Sequence, residues 1–229
     1  MHFIHTPAFV LQFTHYEEFD IIVHVFTKDL GLIPLFVKGG NRKKSPYAFL
    51  KQPLCQIDLL CQKKQGEFYL LKEASPIAVF TQMRQSYKRL KAMLSIQQCL
   101  KSCLIHEYSC PDIFILTQII LRNLNQSDSE YTELYLCLFY LKILFFEGLW
   151  PIEFVCPSCE QKQASIYIYH DHFQCACTIT DRSKIELSYL EFLTCKNLCL
   201  SKKISGIGKS LDYKTLLKKL EQIFLSLKK

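Results

Sequence analysis

The sequence predicts an α+β protein: a small five-stranded barrel at the N-terminus, then an α-helical domain with an inserted zinc-binding hairpin. Three observations predict it. Short runs rich in β-branched and aromatic residues, separated by turn residues, fill the chain from about Ala8 to Ala74. Apolar patterns of helical period replace them after Pro76. Two closely spaced cysteine pairs, Cys156-x2-Cys159 and Cys175-x1-Cys177, interrupt the second half. The expected domains are residues 1–80 and 81–229, with the zinc motif at about 152–180.

The predicted strands are Phe9–Phe13, Asp20–Phe26, Leu32–Val37, Cys55–Leu60 and Glu67–Leu71. Lys63-Lys64-Gln65-Gly66 reads as a hairpin turn in which Gly66 takes a positive φ. Five short strands without intervening helices suit a closed barrel such as the OB-fold, with an SH3-like barrel as the structural rival. Between the third and fourth strands runs Lys38-Gly39-Gly40-Asn41-Arg42-Lys43-Lys44-Ser45. No acidic residue occurs from Leu30 to Ile57, whereas Lys38, Arg42, Lys43, Lys44 and Lys51 do. Paired glycines let backbone approach a ligand, the cations neutralise phosphates, and Tyr47 and Phe49 stand nearby as stacking platforms. The plainer reading is a solvated basic loop.

Helices follow. Met83, Tyr87, Leu90, Leu94, Leu100 and Leu104 recur near a period of 3.6 and are expected to face the core. Pro111 suits the first turn of a helix over Asp112–Leu124. Ser127-x-x-Glu130 reads as a capping box before Tyr131–Glu147, which Gly148 ends. That helix is apolar nearly all round, as the central helix of a bundle must be. It is shorter than the roughly 20 residues of a membrane span and carries Glu133 and Lys142, so no membrane partner is expected. Ser188-x-x-Glu191 opens a helix to about Leu200, and a last helix from about Leu211 carries Tyr213, Leu217, Leu220, Phe224 and Leu227.

A chain of 229 residues is long enough for two modest domains with a real core. Its net charge of +7 divides as +2 over residues 1–80, zero over 81–155 and +5 over 156–229, a balance that suits a polyanion. Nothing from Met1 to Val10 resembles a signal peptide, so the twelve cysteines are read in a reducing cytoplasm rather than as disulfides. Cys55, Cys61, Cys99, Cys103, Cys110, Cys137, Cys195 and Cys199 are then apolar fillers.

The remaining four, Cys156, Cys159, Cys175 and Cys177, have the spacing of a tetrahedral zinc site, with the second pair one residue short of C-x2-C. Ile166–Tyr169, a turn at His170-Asp171-His172 and a return through Phe173-Gln174 bring both pairs to one end of a hairpin. His172 is an alternative ligand to one of the second pair, and four unligated thiols are the plain reading. A zinc deaminase would need H-x-E and P-C-x-x-C, but Val155 precedes the first cysteine pair and His170-Asp171-His172 lacks the glutamate that would move protons. Gly206-Ile207-Gly208-Lys209-Ser210 resembles the end of a phosphate-binding loop, but Lys203 stands where that motif needs its first glycine. No catalytic residue is expected.

Taken in order, these features resemble the bacterial DNA repair protein RecO family. Tyr16-Glu17-Glu18-Phe19-Asp20, Thr27 to Gly31, Lys38 to Ser45, Pro53, and the Cys156 pair after Gly148-Leu149-Trp150-Pro151 carry the resemblance. Two departures stand out: the second pair is Cys-x-Cys where that family usually has Cys-x2-Cys, and the loop has Gly-Asn where an alanine or arginine is commoner. The resemblance implies a non-enzymatic, cytoplasmic, nucleoid-associated recombination mediator. Such a protein binds single- and double-stranded DNA, anneals complementary strands, and with RecR helps RecA displace single-stranded-DNA-binding protein (SSB). It also implies docking of the acidic, aromatic-ended SSB tail on the helical domain. Lys38, Arg42, Lys43, Lys44, Lys51 and Tyr47 are the expected DNA contacts, with structural Zn2+ on the four cysteines. The rival readings are a zinc-dependent nucleic-acid-processing enzyme and a protein-only scaffold.

Overall fold

Alternation of apolar and polar residues at period two closes the first five strands into a barrel in the computed structural model, which describes residues 3–64, 66–156, 158–160, 165–169, 172–175, 177, 185–201 and 212–227. The strands are β1 (Phe3–Tyr16), β2 (Asp20–Thr27), β3 (Gly31–Val37), β4 (Gln56–Lys63) and β5 (Tyr69–Ala78). Their order around the barrel is β1-β2-β3-β5-β4, with β4 returning to β1; β3 and β5 pair in parallel and the other pairs are antiparallel. This is the OB-fold. Inward-facing Val10, Ile21, Val23, Val25, Ile33, Leu35, Ile57 and Leu59 fill it, each with almost no surface exposed.

β5 runs past Pro76 to Ala78, so the strand region ends later than expected. Pro76 pairs with Ile57 where the β4–β5 register shifts, a place where a missing N–H is tolerated. The expected first long helix is broken into α1 (Thr81–Arg84) and α2 (Tyr87–Cys103). The expected stripe is buried at Met83, Leu100 and Leu104 but not at Tyr87, Leu90 and Leu94. Ala92, Met93, Ile96, Cys99, Leu100 and Cys103 are buried, whereas Tyr87 is 83% exposed and Leu94 47%. Helix α3 (Pro111–Gln126) has Pro111 in its first turn, as expected.

By compactness the chain forms two units, Met1–Ser127 and Asp128–Lys229. In the first, α3 packs on the barrel through Phe114, whose ring centroid lies 4.9 Å from that of Phe9 and 5.4 Å from that of Phe26. The segment before α3 docks on β3, with Glu107 N–H donating to Leu32 O at 3.0 Å. Gly31 faces it, and a Cβ there would collide with the Tyr108 carbonyl. Thr27 Oγ1 accepts from Leu30 N–H and donates to Gly31 O, so the Thr27–Gly31 stretch is a turn built for packing.

In the second unit, α4 (Thr132–Phe146) is buried on nearly every side from Leu134 to Leu144 and packs against α5 (Tyr189–Leu200) and α6 (Tyr213–Leu227). Gly148 ends α4 with φ +72°, and Leu149 N–H closes the turn on Leu144 O at 2.8 Å. The Ser127 capping box does not form: Ser127 follows α3 as its C-cap, and a 3-10 turn over Ser129–Tyr131 precedes α4. The Ser188 box does form, with Glu191 N–H donating to Ser188 Oγ at 3.2 Å and Ser188 N–H to Glu191 Oε2 at 2.8 Å. On α6 the buried residues are Leu216, Leu220, Ile223 and Phe224. Between α4 and α5 lies a small sheet of β6 (Ile166–Tyr169), β7 (His172–Cys175) and β8 (Ile185–Leu187), ordered β7-β6-β8. The hairpin was expected; β8 was not. Residues 202–211, with the phosphate-loop-like glycines, lie outside the described residues. Among the described residues no helix is long and apolar enough to cross a membrane.

Candidate nucleic-acid interface and metal centre

The loop after β3 is folded rather than loose. Gly39 has φ +69°, a backbone state costly for any residue with a Cβ. Gly40 answers a different need, since a Cβ there would stand 2.6 Å from Ile21 Cγ1 and 2.9 Å from Val37 Cγ1. The paired glycines therefore seat the loop on the barrel core. Three bonds tie it to the β1–β2 turn: Gly39 N–H to Asp20 Oδ1 at 2.6 Å, Asn41 N–H to Phe19 O at 2.8 Å, and Asn41 Nδ2 to Glu18 O at 3.2 Å. Arg42 stacks over the exposed Phe19 ring, 5.6 Å from its centroid.

These anchors bring Lys38, Arg42, Lys43 and Lys44 together on one exposed loop. None of the four makes an ion pair with a described residue. The other two expected contacts are placed differently. Half-buried Lys51 donates to Asn41 Oδ1 at 2.9 Å and lies 5.8 Å from the Phe13 ring centroid, so it braces the loop. Tyr47 packs on the barrel core and edge-on to Phe49, and lines a cleft with His5, Asp58 and Glu73. Sequence reading missed Asp20 and Asn41 as organisers, because each acts across a gap in the chain.

The second site is the cysteine cluster. Cys156, Cys159, Cys175 and Cys177 place all four Sγ atoms within 4.8 Å of one another. The Cys156–Cys177 and Cys159–Cys175 sulfurs are 3.4 and 3.7 Å apart, close to the roughly 3.8 Å edge of a tetrahedron with metal–sulfur bonds of about 2.3 Å. Backbone N–H groups of Cys159 and Ser158 point at the Cys156 sulfur and lower its pKa, while the neighbouring Cys156 and Cys159 sulfurs raise that of Cys177. Glu160, with φ +56°, closes the turn by donating its N–H to Cys156 O at 2.9 Å. The donor set fits a metal ion. The alternative ligand, the His172 side chain, lies outside the described residues. Trp150 packs its ring 5.5 Å from Phe173, two residues before Cys175, and stacks 6.0 Å from Phe192. The filler cysteines are as expected: all but the half-buried Cys110 are buried, and burial pushes Cys55, Cys61 and Cys199 up to about 11.

The second unit also holds a small apolar cleft, lined by Ile152, Phe154, Val155, Phe192 and Leu193 and edged by Lys196. Lys196 Nζ meets Glu153 Oε1 at 3.0 Å at its rim.

Residues 1–80 match the family described as Recombination protein O N terminal, and the match spans the barrel. The barrel resembles the N-terminal domain of RecO proteins. Proteins named DNA repair protein RecO resemble the chain more widely. The one from Caldicellulosiruptor saccharolyticus is 26% identical over 232 residues, covering 99% of this chain and 93% of its own length. Those from Alkaliphilus metalliredigens (28% identical) and Desulfosudis oleivorans (23% identical) match 71% and 68% of this chain. The chain spans 65% and 60% of those two proteins' own lengths.

Proposed function

We propose that the chain is a recombination mediator in DNA repair with no catalytic activity of its own. It binds single- and double-stranded DNA, anneals complementary strands, and with RecR helps load RecA onto SSB-coated single strands in the bacterial cytoplasm, at the nucleoid. The observation that carries this reading is the cluster of Lys38, Arg42, Lys43 and Lys44, without an ion-pair partner among the described residues, on a loop fastened to a barrel that resembles RecO's N-terminal domain. Cations on an exposed loop grip phosphates without reading bases, as an annealing protein requires. Lys51 and Tyr47 support that surface from below.

Residues 1–80 are the DNA-binding domain in this reading, and residues 81–229 carry the protein contacts. Four thiolates complete a tetrahedron, so the metal is structural Zn2+ on Cys156, Cys159, Cys175 and Cys177. The cleft of Ile152, Phe154, Val155, Phe192 and Leu193 would take the aromatic end of an SSB tail, whose carboxylate would compete with Glu153 for Lys196.

The test is annealing of complementary strands, each coated with SSB, with and without this protein. Faster annealing without strand cleavage supports the mediator. No acceleration, together with no affinity for oligonucleotides at low salt, marks a protein-only scaffold. Cleavage or base modification marks an enzyme.

A further inference from the structure

The outer face of the barrel carries an apolar row that the basic loop leaves unexplained. Strand register sets Thr14, Ile22, Phe36 and Leu70 side by side through the pairs Thr14–Ile22, Ile22–Phe36 and Phe36–Leu70. Their chain neighbours Phe13, Val23, Leu35 and Tyr69 pack in or on the core, so the row itself points outward. It is open to solvent, with Thr14 exposed and Ile22, Phe36 and Leu70 half-buried. Tyr16, two residues beyond Thr14, is 41% exposed and meets Phe36 edge to face, with centroids 5.6 Å apart and planes at 87°. Four adjacent strands give the row a width of about 14 Å.

Single exposed aromatics need no explanation, but two in contact on an open sheet face beside a cluster of cations do. The basic loop is fastened next to Tyr16, because Asp20, which pairs with Tyr16, accepts the Gly39 N–H at 2.6 Å. Lys38 follows Phe36 by two residues along the chain. We propose that Tyr16 and Phe36 form a stacking platform for the bases of a single DNA strand whose phosphates lie on the Lys38–Lys44 loop. This inference rests on the DNA-binding reading above. Every base has a π-face, so the platform is indifferent to sequence. A duplex keeps its bases stacked inside, so only an unpaired strand gains from it. The exposed carboxylates of Glu17 and Glu18 in the β1–β2 turn repel phosphates from that side and hold the backbone to the loop.

The experiment compares the full chain's affinity for a dT oligonucleotide with that for an abasic strand of equal length. Wild type binds the dT strand roughly tenfold or more tightly. Tyr16→Leu with Phe36→Leu keeps apolar bulk but removes both rings, and it lowers dT affinity to the abasic level with the salt slope unchanged. Tyr16→Phe keeps the ring and the preference. A wild type that binds both strands equally, or a double variant that keeps the full dT preference, overturns the platform. Failure of the underlying reading looks different: a variant neutralised at Arg42, Lys43 and Lys44 then binds both strands as wild type does.

Discussion

The backbone N–H of Gly39 donates to Asp20 Oδ1 across 2.6 Å, joining the basic loop to the start of β2. A carboxylate acceptor makes this a strong bond, and it holds Gly39 in its left-handed conformation. Asp20→Ala is expected to lower stability by about 1–2 kcal/mol and to speed amide exchange from Gly39 to Arg42. Unchanged exchange in that segment would mean the loop is held by its other contacts alone.

Gly40→Ala tests the loop from beneath. The new methyl meets Ile21 and Val37 inside 3 Å, and Ile21 and Val37 are core residues with no room to retreat. The expected cost is roughly 1–3 kcal/mol in urea denaturation. A neutral result would show that the loop can lift off the barrel.

One metal ion per chain is expected in a folded, reduced sample, and elemental analysis counts it. Trp150 is the single tryptophan, and it touches Phe173, two residues before Cys175. Chelation is therefore expected to shift Trp150 emission and lower the melting temperature of the second unit, and Cys159→Ser is expected to do the same. A folded protein without metal would mean that the four cysteines are not a metal centre.

Glu191 sets an acid limit on the second unit. Burial raises its pKa, but the Lys219 ammonium at 2.7 Å and the Ser188 N–H and hydroxyl outweigh that and hold it below 4.5. A carboxyl depressed in the folded state binds fewer protons folded than unfolded. Its stabilisation is therefore present above the unfolded value and fades as pH falls through the folded one. Glu191→Gln is expected to cost about 1 kcal/mol at pH 7, with the difference from wild type shrinking as pH falls through the depressed pKa of Glu191. Urea titrations followed by Trp150 emission read it, and a pH-independent difference would contradict the assignment.

Local signals in the sequence were legible and distant ones were not. The five strands show in their alternation, the Ser188 box in its spacing, and the metal cluster in two short cysteine pairs. The core face of α2 was misread in part because Tyr87, Leu90 and Leu94 are large, while the buried side uses Ala92, Met93 and Cys99. The Ser127 box shares its spacing with the real one, but α3 runs on to Gln126 and takes Ser127 as its own end. Strand β8 has three residues and finds its partner about twenty positions back, which no local pattern records. Asp20 and Gly39 are likewise nineteen residues apart, so the loop's cations were readable from sequence but their anchorage was not.

The most direct measurement is a salt titration of single-stranded DNA binding by wild type and by the Arg42→Gln, Lys43→Gln, Lys44→Gln triple variant. Each phosphate contact contributes about 0.7 to the slope of log affinity against log salt on a single strand. The triple variant is expected to bind more weakly at low salt, with a slope shallower by about 2. Equal affinity and equal slope in the two proteins would contradict the account, because the loop on the barrel would then not be where this protein holds DNA.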